Sequence, residues 1–368
     1  MIVAVDYYRR NCDRKRGKRH KGIYPALALL GIYERCTPCL TSEVSILTAT
    51  LGSLAETQQV LSEQGNELNE KTIRHIAYRA AERARLLQKM GHFGFKPDET
   101  MAGRRVVVSA DGGRIRLREK KRGPKTKKGR NHYNGAWREP KLFIIYVVDD
   151  EGNQSDSFAP IIDGLIQGPN ALFALLQQYL KKLDIQEADQ LLFVSDGAKW
   201  IWNRIPSLIQ DLGIEQERVH LLIDFFHAVQ HIHKVAALCK DWSKKQRTQW
   251  ANKHRKLLYN GHVDQVIEAI RPLCKGRRAK TIRTQLNYFI NHQYHMAYGQ
   301  ILALNLPIGS GAIESAIRRV VNLRLKGPAI FWTKSNAQSV LFLRAFYKSG
   351  RWPQLQSLAL SPLFSHSF

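Results

Sequence analysis

Three acidic residues, Asp111, Asp196 and Glu314, are of the type and setting that could gather divalent cations for phosphodiester chemistry. In that chemistry carboxylates converge on two ions roughly 3.5–4 Å apart, one activating the nucleophile and the other stabilising the leaving oxygen. Asp111 closes the apolar run VVVSA, and Asp196 closes LLFVS. If those runs are neighbouring parallel strands, both side chains reach the same sheet edge, where ligands bind in such sheets. Glu314 borders the apolar helical stripe of Ile317, Val320 and Val321, which lets it face the sheet. Each residue also has a plain structural reading. Asp111-Gly112-Gly113 makes a good hairpin turn, Asp196 is placed to cap a helix beginning near Ala198, and a helical Glu faces solvent by default.

The elements that would have to position these acids follow from periodicity. RRVVVSAD (104–111), KLFIIYVVDD (141–150) and DSFAPIID (156–163) are short β-branched and aromatic runs bounded by turn residues, so three consecutive strands are expected. A helix over 170–183, a strand over 190–196, a helix over 199–212 and a strand over 218–224 complete a β-β-β-α-β-α-β order. A meander followed by strands alternating with helices predicts an α/β fold, with a mixed sheet flanked by helices on both faces. That is the RNase H-like plan, although other α/β folds share the order.

Around this core the pattern is helical. Residues 1–22 are basic and without periodicity, an arm or the end of a truncated module, and 23–100 form a helical domain. Asn69-Glu-Lys-Thr-Ile-Arg-His-Ile has the character of a helix start within a candidate helix-turn-helix, a scaffold or dimerisation module being the alternative. The core runs over 101–225, an all-helical insertion over 226–306, and the final core helices with Glu314 over 307–368.

Composition narrows the partner. Lys and Arg outnumber Asp and Glu by 57 to 31, and a formal charge of +26 on a folded chain calls for a polyanion. The basic residues are spread along the chain and do not gather on one amphipathic helix, which favours nucleic acid over a membrane surface. No apolar run approaches the roughly 18 residues that cross a bilayer, and the five cysteines are an odd number, as expected for reduced thiols in a cytoplasm. Cys36 and Cys39 are the one close pair, and no zinc is predicted there.

Four motifs carry a resemblance to a known family: VSADGG around Asp111, SDGAKWIW around Asp196, LIDFFHAVQHI around Asp224, and PIGSGAIES around Glu314. Together they resemble the bacterial insertion-sequence transposases of the Kra group, relatives of the Mutator-like transposases, over roughly residues 25–355. The resemblance implies an RNase H-like catalytic core with a helical insertion before the Glu, and two Mg²⁺ or Mn²⁺ ions held by Asp111, Asp196 and Glu314. It further implies cleavage at element ends and joining to target DNA. The expected partner is double-stranded DNA, as terminal repeats and target, bound by a homodimer or larger assembly, in a cytoplasmic, nucleoid-associated setting. Relatives often carry a Cys-rich, zinc-ribbon N-terminus, of which Cys12 reads as a remnant. A nuclease that cuts without joining and a non-catalytic DNA-binding remnant are the alternatives.

Asp224 and His227 stand three apart at a strand-to-helix junction, so both can point along one face. The resemblance gives them an auxiliary role, assisting the active site or binding DNA phosphate. His227 and His231 have metal-compatible spacing, but a structural role is expected without a third ligand. Arg114–Arg130 holds ten basic residues against Glu119 alone and is expected to be a loop that tracks a DNA backbone through Lys120, Lys121, Arg122, Lys125, Lys127, Lys128 and Arg130. Arg318 and Arg319, with Arg324 and Lys326, form a second basic set after Glu314. Trp200, Trp202 and Trp332 are candidates for stacking on bases, with core packing as the alternative.

Overall fold

Periodic apolar residues build the following elements in the computed structural model, which describes residues 24–127 and 129–361. Helices α1 (Pro25–Leu29), α2 (Pro38–Thr50), α3 (Leu54–Glu63) and α4 (Glu70–Lys89) come first. Strands β1 (Arg105–Gly112), β2 (Ile115–Lys120), β3 (Tyr133–Arg138), β4 (Lys141–Val148) and β5 (Ile161–Leu165) follow. Next are α5 (Pro169–Lys182), β6 (Gln190–Ser195), α6 (Lys199–Trp202), α7 (Ile205–Leu212) and β7 (Val219–Ile223). Helices α8 (Phe225–Leu238), α9 (Lys244–Tyr259), α10 (Val263–Ile270), α11 (Ala279–His292) and α12 (Tyr298–Ala303) lead to α13 (Gly311–Ala316). A π-helical turn over Ile317–Asn322, α14 (Lys334–Lys348) and α15 (Trp352–Leu360) close the described chain. The basic arm over 1–22, Cys12 and Lys128 lie outside the described residues.

The chain divides into two units, one built from Met1–Lys96, Ile115–Arg138 and Asn322–Phe368, the other from Pro97–Arg114 and Glu139–Val321. In the first, α4 buries Ile73, Ile76, Ala77, Ala80, Ala81, Ala84 and Leu87, a stripe at three-and-four spacing. The Asn69 side chain accepts the Thr72 N–H at 2.9 Å and so starts α4 where the sequence indicates. Helix α2 packs on α4, and α14 and α15 close over them. The segment over 307–368 therefore does not act as one piece: residues from Asn322 onward belong with the N-terminal helices, because α14, buried on all sides from Ser339 to Phe346, packs on α2, α4 and α15.

The basic segment over Arg114–Arg130 is a loop only from Lys121 onward, since Ile115–Lys120 is strand. Strands β2 and β3 pair antiparallel from Ile115↔Arg138 to Lys120↔Tyr133 and form a two-stranded ribbon. Only Ile115 and Leu117 alternate inward, and the density of Arg and Lys hid that period of two. The ribbon ends in a tight turn, where Thr126 N–H donates to Arg130 O and Gly129 N–H to Thr126 O, each at 2.8 Å.

The second unit holds a mixed five-stranded sheet ordered β5-β4-β1-β6-β7. Strands β1, β4 and β5 are antiparallel neighbours, as a meander requires, while β1, β6 and β7 run parallel. Every residue of β4 is buried, so both faces of the sheet are covered. Helix α5 packs on β4 and β5, and α13 packs on β4 and β1. From Phe225 to Ala303 the regular elements are helices, as expected.

Three element boundaries differ from the sequence reading. The strand expected over 156–163 begins only at Ile161, after Pro160, which lacks a donor for a ladder. The helix expected over 199–212 breaks at Asn203 and Arg204, ahead of Pro206. The helix carrying Glu314 keeps α geometry only to Ala316 before widening into the π turn.

Candidate active site at the carboxyl edge of the sheet

The parallel registers decide where the acids stand. Val108 pairs with Phe193, so Asp111 and Asp196 follow at the same level one strand apart. Ser195 pairs with Ile223, which sets Asp224 level with Asp196 on the next strand. Beyond the β1–β6 ladder, the Ser195 hydroxyl accepts the Ala110 N–H at 3.0 Å and holds the two strands together. Asp224 N–H donates to Ser195 O at 2.9 Å and does the same for β6 and β7. Three carboxylates thus end three adjacent strands at one edge, which is where parallel sheets present ligand-binding groups.

The alternative readings of two acids turn out to be partial truths. Asp111 does not enter a tight hairpin, since Asp111 and Gly112 continue the ladder opposite Leu142 and Lys141. Its Oδ1 accepts the Gly112 N–H at 2.6 Å. Asp196 Oδ1 accepts the Ala198 N–H at 3.0 Å, a local turn bond beside the start of α6. Each bond occupies one carboxylate oxygen.

Electrostatics tie the group together. Burial pushes the Asp111 carboxyl up to about 6; the Gly112 N–H opposes this, and the charges of Asp196 and Glu314 reinforce it. Burial also raises Asp196, against the Ala198 N–H and His227, with Asp224 and Glu139 adding to the rise. Asp224 behaves in the opposite way. Burial pushes its carboxyl up, but the bonds from His227 and Ser310 together outweigh that and hold it at about 2. Its Oδ1 accepts the His227 N–H at 2.8 Å, and its Oδ2 accepts the Ser310 N–H at 2.6 Å together with the Ser310 hydroxyl.

Glu314 is the most open of the acids, its side chain 54% exposed, yet its Oε1 lies 3.7 Å from His227 Nδ1. The same nitrogen is 3.7 Å from Asp224 Oδ1. Both are ion-pair separations too long for a hydrogen bond, so Nδ1 is a buried atom with no hydrogen-bond partner among the described residues. The Asp224 carboxylate raises the His227 pKa against burial, and Asp196 and Glu314 add to the rise. Among the described residues, the group whose ligand atoms all lie within 4.8 Å of one another is Asp224, His227 and Glu314. Of the metal ligands expected from sequence, Glu314 belongs to it, whereas Asp111 and Asp196 stand outside that spacing.

Two residues that sequence reasoning did not single out complete the surroundings. Ser310 is one, and its place in a glycine-flanked turn was the only available signal. Tyr288 on α11 is the other. A Cβ on Gly197 would lie 2.7 Å from Tyr288 Cε2 and 3.1 Å from His292 Nε2, so Gly197 lets the helical insertion approach the residue after Asp196. Burial pushes the Tyr288 hydroxyl up, with Asp196 and Asp224 adding, and that hydroxyl has no hydrogen-bond partner among the described residues. No periodic or motif signal marks Tyr288. His231 is not beside His227 as a ligand: its ring stacks on Tyr288 with centroids 3.7 Å apart, and Nδ1 meets Gln285 Oε1 at 2.8 Å.

The basic and aromatic candidates divide. Lys120, Lys121, Arg122, Lys125, Lys127 and Arg130 are exposed around the tip of the ribbon, while Lys128 lies outside the described residues. Arg318 is exposed, whereas Arg319 lines a cavity of about 630 Å³ with Tyr146, Phe226 and Ile308. Arg324 is no surface contact: it is buried in the first unit, its guanidinium 5.1 Å over the Trp332 ring. The three tryptophans are engaged as well. Trp202 is buried and stacks on His295 at 4.7 Å, Trp332 donates to Leu325 O at 3.0 Å, and Trp200 packs edge-on to Phe173 at 6.4 Å. Cys36 is buried and Cys39 exposed. Among the described residues, no helix is long and apolar enough to cross a membrane.

No family model, curated protein or solved structure matches the chain.

Proposed function

We propose that this chain is the catalytic protein of a DNA transposase, cutting at the ends of an insertion sequence and joining them to target DNA. The single observation that carries the reading is the alignment of Asp111 and Asp196 at the carboxyl edge of adjacent parallel strands, with Glu314 acting on the half-buried Asp111 from α13. The mixed sheet, its meander followed by parallel strands, and the helical insertion between Asp196 and Glu314 support an RNase H-like core.

The donor chemistry of Asp111, Asp196 and Glu314 suits a hard divalent cation. Carboxylate oxygens are the donors that Mg²⁺ and Mn²⁺ prefer, and a cation would offset the penalty that lifts Asp111 and Asp196. Asp111, Asp196 and Glu314 would hold the ions. Asp224 already has both oxygens engaged and acts as an anchor. When bound, the ions supply Lewis-acid stabilisation of the attacking and leaving oxygens. The chain's own residues do the rest: Asp224 fixes the start of the Glu314 helix through Ser310, and His227 sets its ring between Asp224 and Glu314. The exposed lysines and arginines of the ribbon tip supply phosphate contacts, in keeping with the charge of +26. Paired cutting of two element ends calls for a homodimer or larger assembly, at work in the cytoplasm on the nucleoid.

The test is a Mg²⁺- or Mn²⁺-dependent cleavage and joining assay on DNA carrying the flanking element ends. Asp196→Asn and Glu314→Gln are expected to abolish both steps. Cutting without joining supports a nuclease instead, binding without cutting supports a non-catalytic remnant, and full activity in either variant removes the assigned site.

A further inference from the structure

The outward face of the ribbon carries a second arrangement that the catalytic reading does not use. Strand β2 contributes Arg116, Arg118 and Lys120, and their cross-strand partners on β3 are Trp137, Gly135 and Tyr133. The opposite face sends Ile115 and Leu117 into the interior. A third extended segment joins the ribbon, since Trp332 N–H donates to Arg116 O at 3.0 Å and Arg118 N–H donates to Trp332 O at 2.7 Å. That segment brings Phe331 onto the outward face. A Cβ on Gly135 would lie 2.6 Å from Phe331 Cε1, so the glycine is what lets the ring lie down on the strand.

The result is a surface of alternating aromatic rings and guanidinium groups. Arg116 lies 4.4 Å over Phe331 and 5.5 Å from the centre of Trp137, while Arg118 lies 5.0 Å from Tyr133. Phe331 meets Tyr133 edge-on at 5.6 Å. Arg116 is pinned from behind by a 2.8 Å bond to Gly327 O. Tyr133 and Trp137 are 45% and 47% exposed and stand beside the Arg116 and Arg118 guanidinium groups, whereas Ile115 and Leu117 on the other face are buried. Leaving such area exposed is unfavourable unless something else covers it.

We propose that this face is a stacking platform for unpaired nucleotides of single-stranded DNA. In a duplex the flat faces of the bases are hidden against one another, and a protein meets base edges and phosphates. Only unpaired bases offer faces that match Tyr133 and Trp137, with Arg116 and Arg118 adding cation–π contact. The exposed basic residues from Lys120 to Arg130 continue from the platform along the ribbon and match the charge of the accompanying backbone. The inference rests on the proposed function only in taking DNA as the ligand.

The experiment uses the full chain and a fluorescent 20-nucleotide oligothymidylate, with a 20-base-pair duplex as the second probe, read by anisotropy without divalent metal. Tyr133→Ala with Trp137→Ala is expected to weaken oligothymidylate binding at least about tenfold, while duplex binding changes less than about twofold. Tyr133→Phe with Trp137→Phe keeps the rings and should retain binding, and thermal melting of both variants checks that the ribbon is folded. An equal loss on both probes, or no loss on either, overturns the platform, as does loss in the ring-retaining pair. If the unaltered chain binds neither probe, the DNA reading fails with it. If the duplex binds and metal-dependent cutting persists but the rings do not matter, the platform alone fails.

Discussion

Asp224 Oδ2 accepts both the backbone N–H and the hydroxyl of Ser310, joining the end of β7 to the residue just before the helix that bears Glu314. The position of the most distant acid in the sequence is therefore set by a side chain that is not itself one of the three. The neighbouring bond from Phe225 N–H to Ile308 O, at 2.9 Å, reinforces the same junction.

That junction is open to a direct test. Ser310→Ala leaves one oxygen of a buried carboxylate short of a donor, which costs about 1–3 kcal/mol. Chemical denaturation should register that loss, and cleavage should fall because Glu314 is no longer held in place. Unchanged stability would mean that the backbone N–H alone suffices.

Two of the three strand-end acids, Asp111 and Asp224, predict opposite pH behaviour. Asp111 has a folded-state pKa of about 6 against 3.8 for the free group, so between those values the folded chain binds more protons and stability falls as pH rises. Asp111→Asn should therefore stabilise the protein by roughly 2–3 kcal/mol near pH 7, with the gain disappearing below about pH 4. Melting of the variant and parent across that range reads it directly.

Asp224, held at about 2, contributes stability that is complete above 3.8 and lost as pH falls toward 2. Asp224→Asn should destabilise by roughly 2 kcal/mol at neutral pH and should converge with the parent in acid. A constant difference between the two at every pH would show that shape rather than charge is what Ser310 and His227 recognise.

Metal should stabilise the native chain. A cation that binds only the folded state at a hundred times its dissociation constant adds about 2.7 kcal/mol. Mg²⁺ or Mn²⁺ is expected to raise the melting midpoint of the parent but not of Asp111→Asn or Asp196→Asn. Equal shifts in all three would move the binding site elsewhere.

Close approach of the helical insertion predicts a steric effect. Gly197→Ala puts a methyl group 2.7 Å from a ring that cannot withdraw, because Tyr288 is stacked on His231. The expected cost is about 1–3 kcal/mol. Gly168→Ala, where nothing lies within 4 Å, is the control and should change stability far less.

Much of the architecture is legible in the chain because local periodicity encodes it. The runs around Val107, Ile144 and Phe193 are apolar enough to be strands anywhere, and Asn69 caps α4 through an atom three residues from its donor. The level placement of Asp111 and Asp196 also follows once the two runs are taken as parallel neighbours. The ribbon was hidden for the converse reason: two inward residues, Ile115 and Leu117, are too few to mark a strand among so many charges.

The sequence by itself determined the order of strands and helices, the basic character and the acidic residues available, since these depend on residue type and short spacing. Only the tertiary structure decided that Asp224 stands level with Asp196, that Ser310 neutralises its demand for donors, and that Tyr288 approaches Gly197. It also decided that Tyr133 and Trp137 stay exposed on the ribbon, while Trp202 is buried. The reason is physical: register, burial and the pKa of a carboxyl depend on which distant segments pack together, and no spacing along the chain records that.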